Sequence, residues 1–528
     1  MISRMYNPIE YMVKMANFEE DGRPVVWCEY AHSMGNSTGN LFEFWDAIRA
    51  NKRMFGGYIW DWVDQGLLQK TPEGEDYYAF GGDMGDTKIN SGNFCLNGIV
   101  DPARNPKPAL WECKKVFQPI KITAKNLKKG VVEIFNRHDF TNLNEFDITW
   151  ELQKDGVTIK SGLLKPIDLE PNASKTLTIP FKFPKETTTG SEYFIRIGFQ
   201  LKAAKNWANK GHEIAWQQLQ LPLSTTKPII DTTTLPNLSV DNNNNTTKTE
   251  IKGEGFTIAF SKDTGELISF KSKNEELIHG ALIPNFWRPV TDNDRAGAKT
   301  TKLLKVWKNA HKNKDLVNFN VKELATNTIK ITTSYLLKDV NSKLHLNYTI
   351  YGDGSIQVDN TFNIDESSNL PILPKYGMQI EIPKQYDNFT YLGKGPHENY
   401  NDRNLSADVG LYKESVSQDY HMYIRPQESS NKTEVRWFSL TNSNGKGFKI
   451  SGVSSNLSVS AWPYTTKDIE DALHTYDLKK RDFITLNIDH KQMGVGGDDS
   501  WSTKALPHEP FRVQPKDYNY SFTFKPIK

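Results

Sequence analysis

The chain has 528 residues, more than one hydrophobic core can serve, so several domains are expected, each burying a core of its own. Lys and Arg number 65 against 63 Asp and Glu, and neither sign gathers in a long run, which argues against nucleic acid or an anionic membrane as a partner. No stretch reaches the ~20 continuous apolar residues of a membrane span, no signal-peptide core opens the chain, and three cysteines without CxxC spacing suggest neither a disulfide framework nor a zinc site. A soluble protein of the cytoplasm or periplasm is expected.

Residues 1–118 alternate short apolar runs with amphipathic stretches. Ile9, Met12, Val13 and Ala16 fall at i, i+3, i+4, i+7, and Leu41, Phe44, Trp45 and Ile48 repeat that spacing, which predicts two helices. Pro24 to Glu29 and Gly57 to Asp61 predict buried parallel strands, and Ser3 to Tyr6 the tail of another. The order is β-α-β-α-β. Three strands cannot close a (β/α)₈ barrel, so this segment reads as the C-terminal part of a TIM barrel, with the chain beginning inside that domain.

Residues 119–222 show period-2 alternation, as in Phe146, Ile148, Trp150 and Leu152, with a hairpin signal at Asp155-Gly156, and predict an immunoglobulin-like β-sandwich. Residues 223–248, rich in Thr and Asn, predict a polar linker. From 249 to 528 the alternation resumes, and a large all-β sandwich domain is expected.

The stretch WCEYAHSMGN, residues 27–36, ends an apolar strand on a carboxylate. In a parallel α/β barrel the carboxyl ends of the strands carry the chemistry, and Glu29 stands at such an end, with Trp60 at the end of the next strand. A carboxylate beside an aromatic wall suits glycoside hydrolysis, where the carboxylate attacks the anomeric carbon and the ring stacks on the sugar. A structural Glu paired to a neighbouring strand is the competing reading.

The stretches CEYAHSMGNS, GGYIWDWVDQ, YAFGGDMGDT and NFCLNGIV, then FWRPVTDNDRAG, YLGKGPHENYNDRN and GVGGDDSWS, resemble in order and spacing the β-galactosidases of glycoside hydrolase family 2. The likeness covers the whole chain but only the C-terminal half of the family's usual architecture. It implies a retaining β-galactosidase that releases terminal β-D-galactose from β-galactosides such as lactose by double displacement. It makes Glu29 the nucleophile, Tyr6 a donor to that nucleophile, and His32, Trp60 and Asn97 contacts of the galactose. Trp501 becomes a wall on the aglycone side of the pocket.

The same resemblance implies sodium, held by the Phe94 carbonyl and the Asn97 side-chain oxygen, and magnesium, with the remaining ligands of both outside this chain. The acid/base partner of Glu29 also lies upstream, so neither Glu43 nor Asp61 is assigned that role. The implied partners are the missing N-terminal half and, in the complete enzyme, further copies in a homo-oligomer, with little activity expected of this chain alone. Competing functions are a non-catalytic carbohydrate-binding or assembly subunit and another family 2 activity. His397 and His421 read as structural, and the acidic run Asp468 to Asp471 as solvated surface.

Overall fold

The first sixty residues fold in the predicted order of strands and helices, but the strand expected to be buried over Gly57 to Asp61 runs instead over Met54–Ile59 and leaves Phe55 and Tyr58 exposed, because this end of the sheet has no further strand packed over it among the described residues. Strands β1 (Ile2–Met5), β2 (Val25–Tyr30) and β3 (Met54–Ile59) pair in parallel in the order β1-β2-β3, joined through helices α1 (Ile9–Ala16) and α2 (Leu41–Ala50). Helix α1 buries Met12 and Ala16, and α2 buries Leu41, Phe44 and Ile48, the core-facing positions of each period. Trp27 of β2 is fully buried, stacked on Tyr30 and edge-on to Phe44. Trp45 is only partly covered and donates its indole N–H to Tyr30 Oη at 2.9 Å. Met5, Cys28, Phe55 and Tyr58, all on these strands, are exposed, and a short antiparallel hairpin of β4 (Leu67–Lys70) and β5 (Asp76–Ala79) follows.

The computed structural model describes residues 1–184, 187–223, 231–243 and 246–527. They divide into two compact units, one of Met1–Leu110, Asp231–Asn404 and Tyr412–Lys528, the other of Trp111–Ile230 with Leu405–Leu411. The barrel strands therefore share a unit with the large β domain, not with the sandwich that follows them in sequence.

The second unit contains a seven-stranded sandwich: β6 (Ile120–Asn126), β7 (Val131–Asn136), β8 (Phe146–Lys154), β9 (Val157–Leu164), β10 (Ser174–Thr178), β11 (Tyr193–Leu201) and β12 (Glu213–Gln220). Sheets β10-β7-β6 and β12-β11-β8-β9 enclose a core that includes Ile134, Ile148, Trp150, Ile197 and Phe199. The β8–β9 hairpin turns at Asp155-Gly156, with φ of 48° and 75°, the left-handed pair that a two-residue turn of this twist requires. An alanine Cβ at Gly156 would meet the backbone of Gly410 and Leu411 within 2.5 Å, so glycine is required there on two counts.

In the first unit, a nine-stranded sheet and two five-stranded sheets build the large β domain. One core draws on all three, with Tyr348 and Phe524 from the first, Met378 and Ile488 from the second and Ile258 and Phe270 from the third. Of the linker expected over 223–248, residues 224–230 and 244–245 lie outside the described residues. Within the rest, Ser239–Asp241 is a strand paired to Lys248–Gly253, which corrects that part of the expectation, because the backbone groups find partners despite the polar side chains. The acidic run is corrected at Glu470, whose carboxylate accepts from Trp287 Nε1 at 2.7 Å and Lys308 Nζ at 2.5 Å and is largely covered.

Candidate active site

Three residues of the site stand at or just past the carboxyl ends of parallel strands. Tyr6 follows β1 with φ 52°, Glu29 is the penultimate residue of β2, and Trp60 follows β3 directly. The Tyr6 backbone N–H donates to Glu29 O at 3.0 Å, fixing these two strand ends together.

After β2 the chain enters a loop, residues 31–40, in which every residue is buried although most are polar or glycine. Buried backbone must find partners, and the large β domain supplies them. Gly39 N–H donates to Gly496 O at 2.9 Å and Asn40 N–H to Asp402 O at 2.7 Å. Asn36 is held by Gln427 Oε1 at 3.0 Å and Glu428 O at 2.7 Å, and Arg403 donates to Ser37 O. Ala31, Thr38 and Asn40 all have left-handed backbone, a conformation that persists only where surrounding contacts over-determine it. Gly39 lies so close to the Asp402 carboxylate that a Cβ would come within 2.0 Å of its oxygen.

The other wall of the site is the turn at residues 493–500. Asp402 accepts from the N–H groups of Val495 and Gly496 at 3.1 and 2.9 Å, and Arg288, paired with Asp294, donates to the carbonyls of Met493 and Gly494. The turn carries Trp501 to the barrel end. Its ring meets Tyr6 edge-on at 4.7 Å and His32 at 5.2 Å, and His32 in turn stacks on Phe94 at 5.2 Å. Tyr6, His32, Phe94 and Trp501 thus form one aromatic cluster over the strand ends.

The Tyr6 hydroxyl is buried and has no partner at good hydrogen-bond geometry. Its pKa is held well above the ordinary phenol value, first by burial and then by the facing Glu29 carboxylate, so the hydroxyl stays protonated near neutral pH. His32 is pushed down to about 4 by burial, with Lys107 adding to the effect, and is neutral near pH 7.

Trp60 and Asn97 join the cluster through Phe94. All three line an open pocket of about 370 Å³ with Gln65, Asn90 and Cys95 among its other walls. Asn97 Nδ2 donates to Phe94 O at 3.1 Å, and Asn97 Oδ1 is buried without a partner. An orphaned amide oxygen beside a carbonyl with a free lone pair suits a hard cation, so these two residues fit sodium as far as two ligands can. Among the described residues no group of three or more His, Cys, Asp and Glu could hold a metal ion.

Two carboxylates left unassigned by sequence are engaged elsewhere. Glu43 Oε2 lies 2.5 Å from His508 Nδ1, and Asp61 accepts from Val63 N–H and Gln65 Nε2. Sequence reasoning missed Ser500, Asn293, Asp402 and Gln427, which come from hundreds of residues away. The motifs that contain three of them, FWRPVTDNDRAG, YLGKGPHENYNDRN and GVGGDDSWS, were the available signal.

Residues 1–122 match "Glycosyl hydrolases family 2, TIM barrel domain", residues 132–222 match "Beta-galactosidase, domain 4", and residues 252–524 match "Beta galactosidase small chain". A beta-galactosidase of Priestia megaterium is 35% identical over 505 residues, covering 96% of this chain and 48% of that protein. Beta-galactosidases of Halalkalibacterium halodurans and Vibrio cholerae are each 32% identical, covering 99% and 96% of this chain and 50% and 48% of theirs. The chain spans about half the length of the curated relatives it matches. Among solved structures, a GalM/aldose epimerase homologue from C. elegans aligns over 53% of this chain and 98% of that one at 10% identity and a TM-score of 0.31. Because three consecutive stretches match domains of one enzyme group in a single order, the chain belongs to the beta-galactosidases of glycosyl hydrolases family 2.

Proposed function

We propose that this chain forms the nucleophile side of a retaining β-galactosidase and hydrolyses β-galactosides once the remaining barrel strands and an acid/base are supplied. The observation that carries this reading is the convergence of Tyr6, His32 and Trp501 beside Glu29 at the strand ends. Glu29 attacks the anomeric carbon, and Tyr6 donates to the carboxylate and orients it. Retaining chemistry needs a second, protonated carboxyl ~5–5.5 Å away, and without it the aglycone oxygen leaves poorly. Glu43 and Asp61 are engaged elsewhere, and the family resemblance places that group upstream of residue 1.

Trp60 and His32 receive the galactose, and Trp501 the aglycone side. Asn97 and Phe94 supply two oxygen ligands to a sodium ion, which when bound orients sugar hydroxyls, and magnesium takes its ligands elsewhere in the complete protein. The exposed Met5, Phe55 and Tyr58 are where a completed barrel is covered, and the whole enzyme is a homo-oligomer.

A 2-deoxy-2-fluoro galactoside with a good leaving group tests this reading. Given to the chain together with its upstream half, it is expected to label the peptide containing Glu29, and Glu29→Gln is expected to lower kcat by roughly 10⁴-fold or more. Labelling at another carboxylate, or turnover by the chain alone, defeats it.

A further inference from the structure

Among the described residues His32 makes its one side-chain hydrogen bond with a residue of the distant turn, Nδ1 lying 2.7 Å from Ser500 Oγ. A serine hydroxyl has a single proton to give. Here it goes to Asn293 Oδ1, at 2.6 Å. The orientation of that amide is set in turn, because Asn293 Nδ2 donates to Val495 O at 3.2 Å, which leaves Oδ1 as the acceptor. Ser500 Oγ can therefore only accept from His32, and the proton between them belongs to Nδ1. All three residues are at most 1% exposed, so bulk solvent does not compete for the contacts among Nδ1, Oγ and Oδ1. No carboxylate hydrogen-bonds the imidazole among the described residues, and a ring so enclosed with a hydroxyl as partner is neutral. Nε2 then carries a bare lone pair, without a hydrogen-bond partner among the described residues, on a ring packed against Tyr6, Phe94 and Trp501.

We propose that Ser500 and Asn293 are positioning residues that lock His32 in the Nδ1–H tautomer, so that Nε2 accepts a hydrogen bond from a hydroxyl of the bound sugar. An acceptor at this place selects an O–H and repels a carboxylate or carbonyl oxygen, so the turn of the last domain sets a preference for a neutral sugar over a uronate. The relay itself rests on geometry alone, while the identity of its ligand rests on the galactosidase reading above.

The tautomer is measurable without any activity. In the chain labelled with ¹⁵N-histidine, with the His32 signals assigned by their loss in His32→Gln, long-range ¹H–¹⁵N correlations are expected to show Nδ1 protonated and Nε2 bare. Ser500→Ala is expected to move the tautomer ratio toward Nε2–H by about tenfold, the worth of one buried neutral hydrogen bond, and Ser500→Thr to restore it. Nε2–H in the wild type overturns the proposal whether or not the variants fold, and so does an unchanged ratio in Ser500→Ala.

A second measurement reads the sugar contact. With the upstream half present, Ser500→Ala is expected to lose about tenfold in kcat/KM on a β-galactoside and nothing on the one monodeoxy analogue that lacks the hydroxyl received by Nε2. Equal losses on every analogue overturn the proposed contact. Absence of galactosidase activity in the completed wild type would defeat the functional reading, while the tautomer experiment would still judge the relay.

Discussion

The ring of Trp501 meets that of Tyr6 at 4.7 Å and 87°, an edge-to-face contact between the turn of the last β domain and the end of the first strand. An aromatic pair of this geometry contributes ~0.5–1.5 kcal/mol beyond its buried area, and Trp501 still leaves 45% of its surface open to a ligand. Trp501→Ala in the completed enzyme is therefore expected to raise KM for galactosides with an aromatic aglycone about three- to tenfold, with Trp501→Phe intermediate. Michaelis kinetics on galactosides with and without a ring in the aglycone check this. Equal effects on both would remove Trp501 from the aglycone side.

Tyr6→Phe keeps the ring that packs on Trp501 and His32 and removes only the hydroxyl facing Glu29. Burial and the Glu29 carboxylate hold the Tyr6 pKa above the ordinary phenol value, so the phenol stays protonated throughout the alkaline range in which the enzyme would be assayed. The expected outcome is a fall in kcat of about 10²-fold, with no alkaline limb of the wild-type kcat profile that disappears in the variant. A kcat–pH series on both proteins gives the answer.

His508 bridges α2 to the turn, with Nδ1 2.5 Å from Glu43 and Nε2 3.0 Å from Asp498. Burial acts to lower its pKa, but the hydrogen bonds to Asp498 and Glu43 outweigh burial and lift it to about 10. A group whose pKa rises on folding stabilises fully below its unfolded value and loses that contribution as pH climbs to the folded one. The wild type is therefore expected to lose Tm between about pH 6.5 and about pH 10 more steeply than His508→Gln, whose Tm is already lower at pH 6. Thermal melts across that range decide it, and parallel curves would mean that the bridge is not charged.

Gly156→Ala places a Cβ in a left-handed turn and against the backbone of Gly410 and Leu411. It is expected to cost about 1–3 kcal/mol, read as a lower midpoint for the sandwich unit in chemical denaturation. Asp155→Ala, which loses only an acceptor for the Glu192 N–H and some turn preference, should cost less.

What could be read from sequence was what repeats within a few residues. Met12 with Ala16, and Leu41 with Phe44 and Ile48, announce their helices because one face meets one core, and Asp155-Gly156 announces its turn because few residues tolerate φ > 0. Glu29 could be singled out because a carboxylate closing an apolar strand is unusual in itself. Ser500, Asn293 and Asp402 carry no such local mark. Their partners lie far along the chain, and a serine in Asp-Asp-Ser-Trp has the same neighbours whether it faces water or His32. Glu470 was misread for the same reason, since an acidic run looks solvated until Trp287 and Lys308 fold over one member of it.

The buried loop at residues 31–40 bears on how freely such enzymes can be recombined. Its left-handed residues and its hydrogen bonds to Asp402, Gln427, Glu428 and Gly496 make it complementary to one particular last domain, as a plug is to its socket. A chimera that grafts this β domain onto a foreign barrel would have to carry Ala31 to Asn40 with it. The modular boundary for exchange therefore runs through the barrel's own loop, not between the domains as the sequence orders them.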